Sequence, residues 1–279
     1  MSRFTPIDPA MTLKKPVTFR GEKYRDVGHH TQEYLYTMDQ IDDPDYFANS
    51  WGYTIFRTDY STPSESFARA VKLLTTYAGN WLFDDLNPKW RPFDGPPIDP
   101  RAMYEVRSRL YNAVVEDQAT LENATIEEVG RQFDLWITRN RDEDEADGPP
   151  SARFLYCIML DKESIENLLA LPDQPNQVQA PDIWYVWVKV ITNEVRDGRR
   201  LWLRVGVYDV LWEHWFIVVD PEIQFEEMIG DYDEEGGVCN LYGPPTGVPK
   251  PGDPIPMDIR PGHPTRRLAS IPYPRLTPP

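Results

Sequence analysis

The sequence predicts an α+β fold: a mixed or antiparallel sheet of about five strands with helices packed on one face, a ferredoxin-like core with additions. Three observations lead there. Strand-like and helix-like apolar patterns alternate between residues 48 and 220. Two helix starts carry the Thr-x-x-Glu signature, at Thr62–Glu65 and Thr125–Glu128. Two runs rich in β-branched and aromatic residues, Ile183–Ile191 and Leu201–Val207, then read as an antiparallel pair.

The first element is the strand WGYTIFRT, residues 51–58. Trp51, Tyr53 and Ile55 fall on one face and Thr54 and Phe56 on the other, so a strand covered on both sides is expected. A helix follows. Thr62 is placed to cap it, Pro63 needs no amide donor at the first helical position, and Glu65 completes the box. Phe67, Val71, Leu74 and Ala78 recur at helical spacing, and Gly79-Asn80 stops the pattern.

Residues 84–100 hold consecutive turn signals, including NPKW and DGPPIDP, and read as a long loop. A second strand is expected over Leu110–Val115. The second capping box then opens a helix with the stripe Val129, Phe133, Trp136 and Ile137. The acidic run DEDEAD at 142–147 is a solvated loop, because like charges so dense oppose a compact element. Phe154–Met159 is the third strand, and Asp161 is placed to cap a short helix carrying Ile165, Leu168 and Leu169. Asp197-Gly198 lies between the last two strands, in a loop expected to exceed a tight two-residue turn, with Arg196, Arg199 and Arg200 as a solvated tip. The first strand–helix–strand unit should be right-handed.

Residues 1–47 read as an extension packing on the core, residues 48–220 as one domain, and residues 221–279 as an acidic and then Pro-rich tail. The 28 prolines lie mostly before residue 101 or after residue 148, which concentrates regular structure in the middle of the chain. A net charge of −16 repels phosphate backbones and anionic lipid, so neither nucleic acid nor a membrane is expected as a partner. The first residues lack the basic-then-apolar pattern of a signal peptide, and two cysteines do not make a disulfide scaffold. A cytoplasmic protein is expected, with the nucleus open.

Four segments carry a resemblance. WGYTIFRTDY at 51–60, LENATIEEVGRQFDLW at 121–136, ARFLYCIMLD at 152–161 and WLRVGVYDVLWEHW at 202–215 are similar, in order and spacing, to a group of uncharacterised fungal intracellular proteins. The resemblance covers roughly residues 48–220. It implies an intracellular fungal protein and assigns no activity, cofactor or catalytic residue.

The chemistry-bearing residues are few. No G-x-S-x-G elbow, HExxH or phosphate-cradling glycine pattern occurs. Cys157 sits in FLYCIML and reads as a core thiol. For catalysis the candidates are His214, between Trp212 and Trp215 and beside Glu213, and Arg57 and Arg204, which interrupt apolar strands and can hold an acidic ligand. His29, His30 and His214 would form a metal site if they converged, with Glu33 on the face of His29 in a helix. The acidic stretch 226–235 lacks the ligand alternation of a calcium loop. No cofactor is expected.

The aromatic residues point elsewhere. Trp184, Trp187, Trp202, Trp212 and Trp215 crowd into the hairpin region and leave both of its faces aromatic. They are the expected interaction surface, for a protein partner, a second copy of the chain or a small molecule. Three functions follow from this reading: an interaction or regulatory module using the aromatic hairpin, an enzyme acting on a small apolar or acidic metabolite, and a metal-dependent enzyme.

Overall fold

Every side chain of Thr54–Arg57 is buried, so this strand lies in the middle of a sheet with a layer on each side. The computed structural model describes residues 3–4, 52–80, 107, 110, 112–140, 152–173, 186–196, 198–207 and 238–239. In chain order the elements are β1 (Arg3–Phe4), β2 (Thr54–Arg57), α1 (Ser64–Asn80), β3 (Ala113–Glu116), α2 (Gln118–Leu121), α3 (Ile126–Asn140), α4 (Ala152–Leu155), β4 (Tyr156–Leu160), α5 (Lys162–Leu169), β5 (Trp187–Arg196), β6 (Arg199–Gly206) and β7 (Val238–Cys239).

The seven strands among the described residues form one mixed sheet in the order β1-β3-β2-β4-β5-β6-β7. The expected α+β architecture and mixed sheet are present, with five main strands and a two-residue strand at either edge. β2 runs parallel to both β3 and β4; β4-β5 and β5-β6 are antiparallel. A ferredoxin-like order would separate β2 from β3 by another strand, whereas here they are direct neighbours. The chain moves from β2 outward to β3 through α1, then back past β2 to β4 through α3. Right-handed crossovers in opposite directions place their helices on opposite faces. α1 and α5 pack together on one face, and α3 forms an added layer on the other.

The register fixes what each face carries. Ile55, Val114, Ile158, Val190 and Leu203 make one row across the five main strands. This row faces α1 and α5. Tyr77 Oη donates to the Pro172 carbonyl, and Arg69 reaches the Leu169 and Leu171 carbonyls, which ties the two helices together. The opposite face buries Phe56, Ala113, Val115, Cys157, Met159 and Ile191 against Val129, Phe133 and Trp136 of α3. Phe133 meets Phe56 edge-on, with ring centroids 6.2 Å apart.

Helix starts differ in their chemistry. The Thr125–Glu128 box is formed: the Thr125 amide donates to Glu128 Oε2 at 2.7 Å and the Glu128 amide donates to Thr125 Oγ1 at 3.3 Å. The box expected at Thr62 is replaced, because the Thr62 hydroxyl donates to the Asp59 carboxylate. Asp161 caps α5 as expected, accepting from the Ser164 amide at 3.0 Å.

The hairpin is tighter than expected. Arg196 pairs with Arg199, and Gly198 takes a positive φ of 76° that favours glycine. The pairing register shifts between Ile191 and Val195, an irregularity in the β5–β6 ladder. The tip meets α3, and Arg200, expected in solvent, is buried there. Its guanidinium donates to Asp134 at 3.1 and 2.5 Å and to the Asn193 carbonyl, and its amide donates to Glu127. Its stem lies so close to Gly130 that a Cβ there would fall 2.5 Å from Nε.

Candidate functional site

Two strands flanking a first strand in parallel make a topological switch, and ligands of such sheets sit at the carboxyl ends of the strands. Those ends are β2 at Arg57–Tyr60, β3 at Glu116-Asp117 and β4 at Leu160-Asp161.

The β2–β3 side is stitched shut. The Arg57 guanidinium, 3% exposed, donates to the Asp59 carbonyl at 2.9 Å, the Thr62 carbonyl at 2.5 Å and Glu116 Oε1 at 2.8 Å, with Ser64 Oγ at 3.5 Å. Tyr60 and Phe67 flank its plane, with centroids 4.7 and 4.4 Å away. The side chain expected to hold an acidic ligand thus has its donors committed to the β2–α1 turn. Burial raises the Asp59 pKa, but hydrogen bonds from Ser61 and Thr62 outweigh it and hold the carboxyl below its ordinary value. Loop-to-loop bonds complete the seal, from the Asn123 amide to the Thr58 carbonyl and from the Asp117 amide to Tyr60 Oη.

The β4–β5–β6 side is different. The row containing Phe56 reads Phe4, Val115, Phe56, Met159, Lys189, Arg204, Val238 across all seven strands. It is apolar through four strands and then carries two cations on adjacent ones. Lys189 and Arg204 face each other directly across the β5–β6 ladder, where like charges cost a few tenths to about 1 kcal/mol. Among the described residues, aromatic faces lie beside both and a carboxylate pairs with Lys189. The Arg204 guanidinium lies 4.9 Å from the Trp187 ring centroid and 5.4 Å from that of Trp202; Lys189 Nζ lies 5.9 Å from Trp202. Lys189 Nζ pairs with Asp161 Oδ2. Burial raises the Asp161 pKa, but the bonds from Lys189 and Ser164 prevail and lower it.

The structure therefore unites four sequence candidates in two places: Arg57 alone at the β2–β3 side, and Arg204, Trp187 and Trp202 together on the β5–β6 ladder. Trp187 is only 1% exposed, so it is a buried frame, not a presented surface; Trp202 is half-buried. Trp184, Trp212, Trp215, His214, His29 and His30 lie outside the described residues, and the metal site proposed on those histidines lies outside them too. Among the described residues no group of three His, Cys, Asp or Glu side chains is placed to hold a metal ion. Cys157 is fully buried, and desolvation pushes its thiol well above the ordinary value, as a core thiol requires. Sequence reasoning passed over Lys189 and read Asp161 as a helix cap alone. The available signal was Lys189 in the run WVKVI, a charge at an alternation position that should be apolar.

No helix among the described residues is long and apolar enough to cross a membrane. No known family, curated protein or solved structure matches the chain, so the fungal resemblance rests on the four sequence segments alone.

Proposed function

We propose that this chain is an interaction module that recognises an acidic segment of a polypeptide through the β5–β6 surface, with Lys189 and Arg204 as the charged contacts and Trp202 as the apolar one. The carrying observation is the row that turns from Phe56 and Met159 to Lys189 and Arg204. Apolar residues at both positions would serve the sheet better, since the cross-strand cations repel and each must be desolvated. Indole faces beside guanidinium and ammonium groups favour a carboxylate-bearing ligand with apolar body, because charge-assisted hydrogen bonds strengthen in partly dry surroundings. The overall charge of −16 opposes an acidic partner at long range. Screening confines that opposition to about 8 Å at physiological salt, so the local field governs once contact is made.

The test uses the full chain and a fluorescein-labelled hexaglutamate peptide, followed by anisotropy at low salt. Wild type is expected to bind saturably, with tryptophan emission changing alongside. Arg204→Gln is expected to weaken binding by about 10-fold or more, the worth of a hydrogen bond to a charged group. Overlapping isotherms for wild type and Arg204→Gln, with folding verified by circular dichroism, would reject the proposal.

A further inference from the structure

Lys189 already holds a carboxylate. Its ammonium pairs with Asp161 Oδ2 at the carboxyl end of β4, and both side chains are largely shielded from water, Lys189 at 15% and Asp161 at 21% exposure. The Lys162–Glu166 pair on α5 is 69% and 65% exposed, and water leaves such a surface pair weak. Asp161 uses its two oxygens separately. Oδ2 takes the ammonium, while Oδ1 accepts from the Ser164 amide and caps α5. The cap does not need Lys189. Ser164 keeps its acceptor when the ammonium leaves, and the positive end of the helix still favours the carboxylate. Ile165 and Leu168, both fully buried, keep α5 seated on the sheet. The ammonium ends a flexible four-carbon stem that can turn from one carboxylate to another, and it lies 5.9 Å from the Trp202 ring centroid.

We infer that Asp161 is an internal competitor for Lys189: an acidic ligand of the β5–β6 surface binds by drawing the ammonium away from Asp161, which thereby sets the affinity and selectivity of that surface. This rests on the reading of the surface as an acidic-segment site; Arg204 takes no part in the exchange. A hydrogen bond between charged groups in partly dry surroundings biases Lys189 toward Asp161 by about tenfold or more. A ligand that needs Lys189 then binds about tenfold more weakly than it would to an unpaired ammonium. Selectivity follows from the same competition. A neutral amide or hydroxyl offers Lys189 less than Asp161 does and leaves the pair closed, whereas a carboxylate matches what it replaces.

The experiment measures anisotropy of the same labelled hexaglutamate peptide on full-length wild type and variants. Asp161→Asn and Asp161→Ser each keep a cap acceptor for the Ser164 amide, and each is expected to bind the probe about tenfold tighter than wild type. Glu163→Gln removes an exposed carboxylate from the same helical turn and is expected to change binding by about twofold at most, as a distant screened charge does. In a Lys189→Met background the gain from Asp161→Asn is expected to shrink to that of Glu163→Gln. If both Asp161 variants fold and bind as wild type does, while Arg204→Gln still weakens binding, the competition is wrong and the recognition surface stands. A gain that survives Lys189→Met also overturns the competition, because it then reflects net charge alone. If neither wild type nor the Asp161 variants bind the probe, both readings fail.

Discussion

Arg57 and Asp161 show how a charged residue in a strand pattern can be read only in part. Both stood out in the sequence, Arg57 as a possible ligand holder and Asp161 as a helix cap. Arg57 proves to be a bracket for the β2–α1 turn, because the backbone carbonyls of Asp59 and Thr62 curl back onto its guanidinium. No linear pattern reveals that curl, which depends on where Glu116 and Phe67 arrive from distant segments. Asp161 does cap, and also neutralises Lys189. Asp161→Ala is expected to cost about 2–4 kcal/mol, for a lost cap and a half-buried ammonium left without its carboxylate. Asp161→Asn keeps an acceptor for the Ser164 amide and is expected to regain about 1 kcal/mol of that loss. Urea denaturation midpoints of the two variants separate the contributions; equal midpoints would mean the cap adds nothing.

At the scale of elements, Arg200 pins the hairpin tip to α3, with its stem seated against Gly130. An alanine at Gly130 would improve helix propensity by about 1 kcal/mol. Its Cβ would displace the Arg200 stem, which Asp134 and the Asn193 carbonyl pin in place. Gly130→Ala is therefore expected to destabilise by about 1–3 kcal/mol overall. In an Arg200→Ser background the same change is expected to be neutral or stabilising, and the double-mutant cycle measures the coupling. Helix stripes and strand runs were legible because period and capping are local: Val129, Phe133 and Trp136 all turn inward. The Arg200 contact was not legible. Three arginines around Asp-Gly look like any solvated turn until the fold sets Arg200 against Asp134.

For the whole molecule, the legible part was the class and the mixed sheet; the hidden part was strand order. The fully apolar stretch around Ile55 and Phe56 signalled burial on both sides, and α3 supplies the second cover. Which strand neighbours which depends on crossover direction, and no residue pattern encodes that directly. Stability should also follow pH on both sides of neutrality. Asp59 and Asp161 have folded pKa values below the ordinary carboxylate range. Their stabilisation is complete above the unfolded pKa near 4 and fades as pH falls through the lower folded values. Burial raises the Cys157 thiol and the phenols of Tyr53 and Tyr156. Their contribution is intact below the unfolded values, about 8.5 and 10, and is lost as pH climbs from there toward the folded ones. Urea midpoints at pH 3, 7 and 10 are expected to peak at pH 7; a flat profile would contradict these assignments.

The central position of β2 has a consequence for synthesis. One of its edges pairs with β4, whose residues emerge about 100 positions later in the chain. At ~5–20 residues per second, the ribosome leaves that edge waiting for roughly 5–20 s. During this interval Ile55 and Phe56 sit on an unfinished ladder that any extended nascent chain can join. The cell must therefore shelter the early product, and expression in a host short of holdase capacity should yield aggregates that form before translation ends.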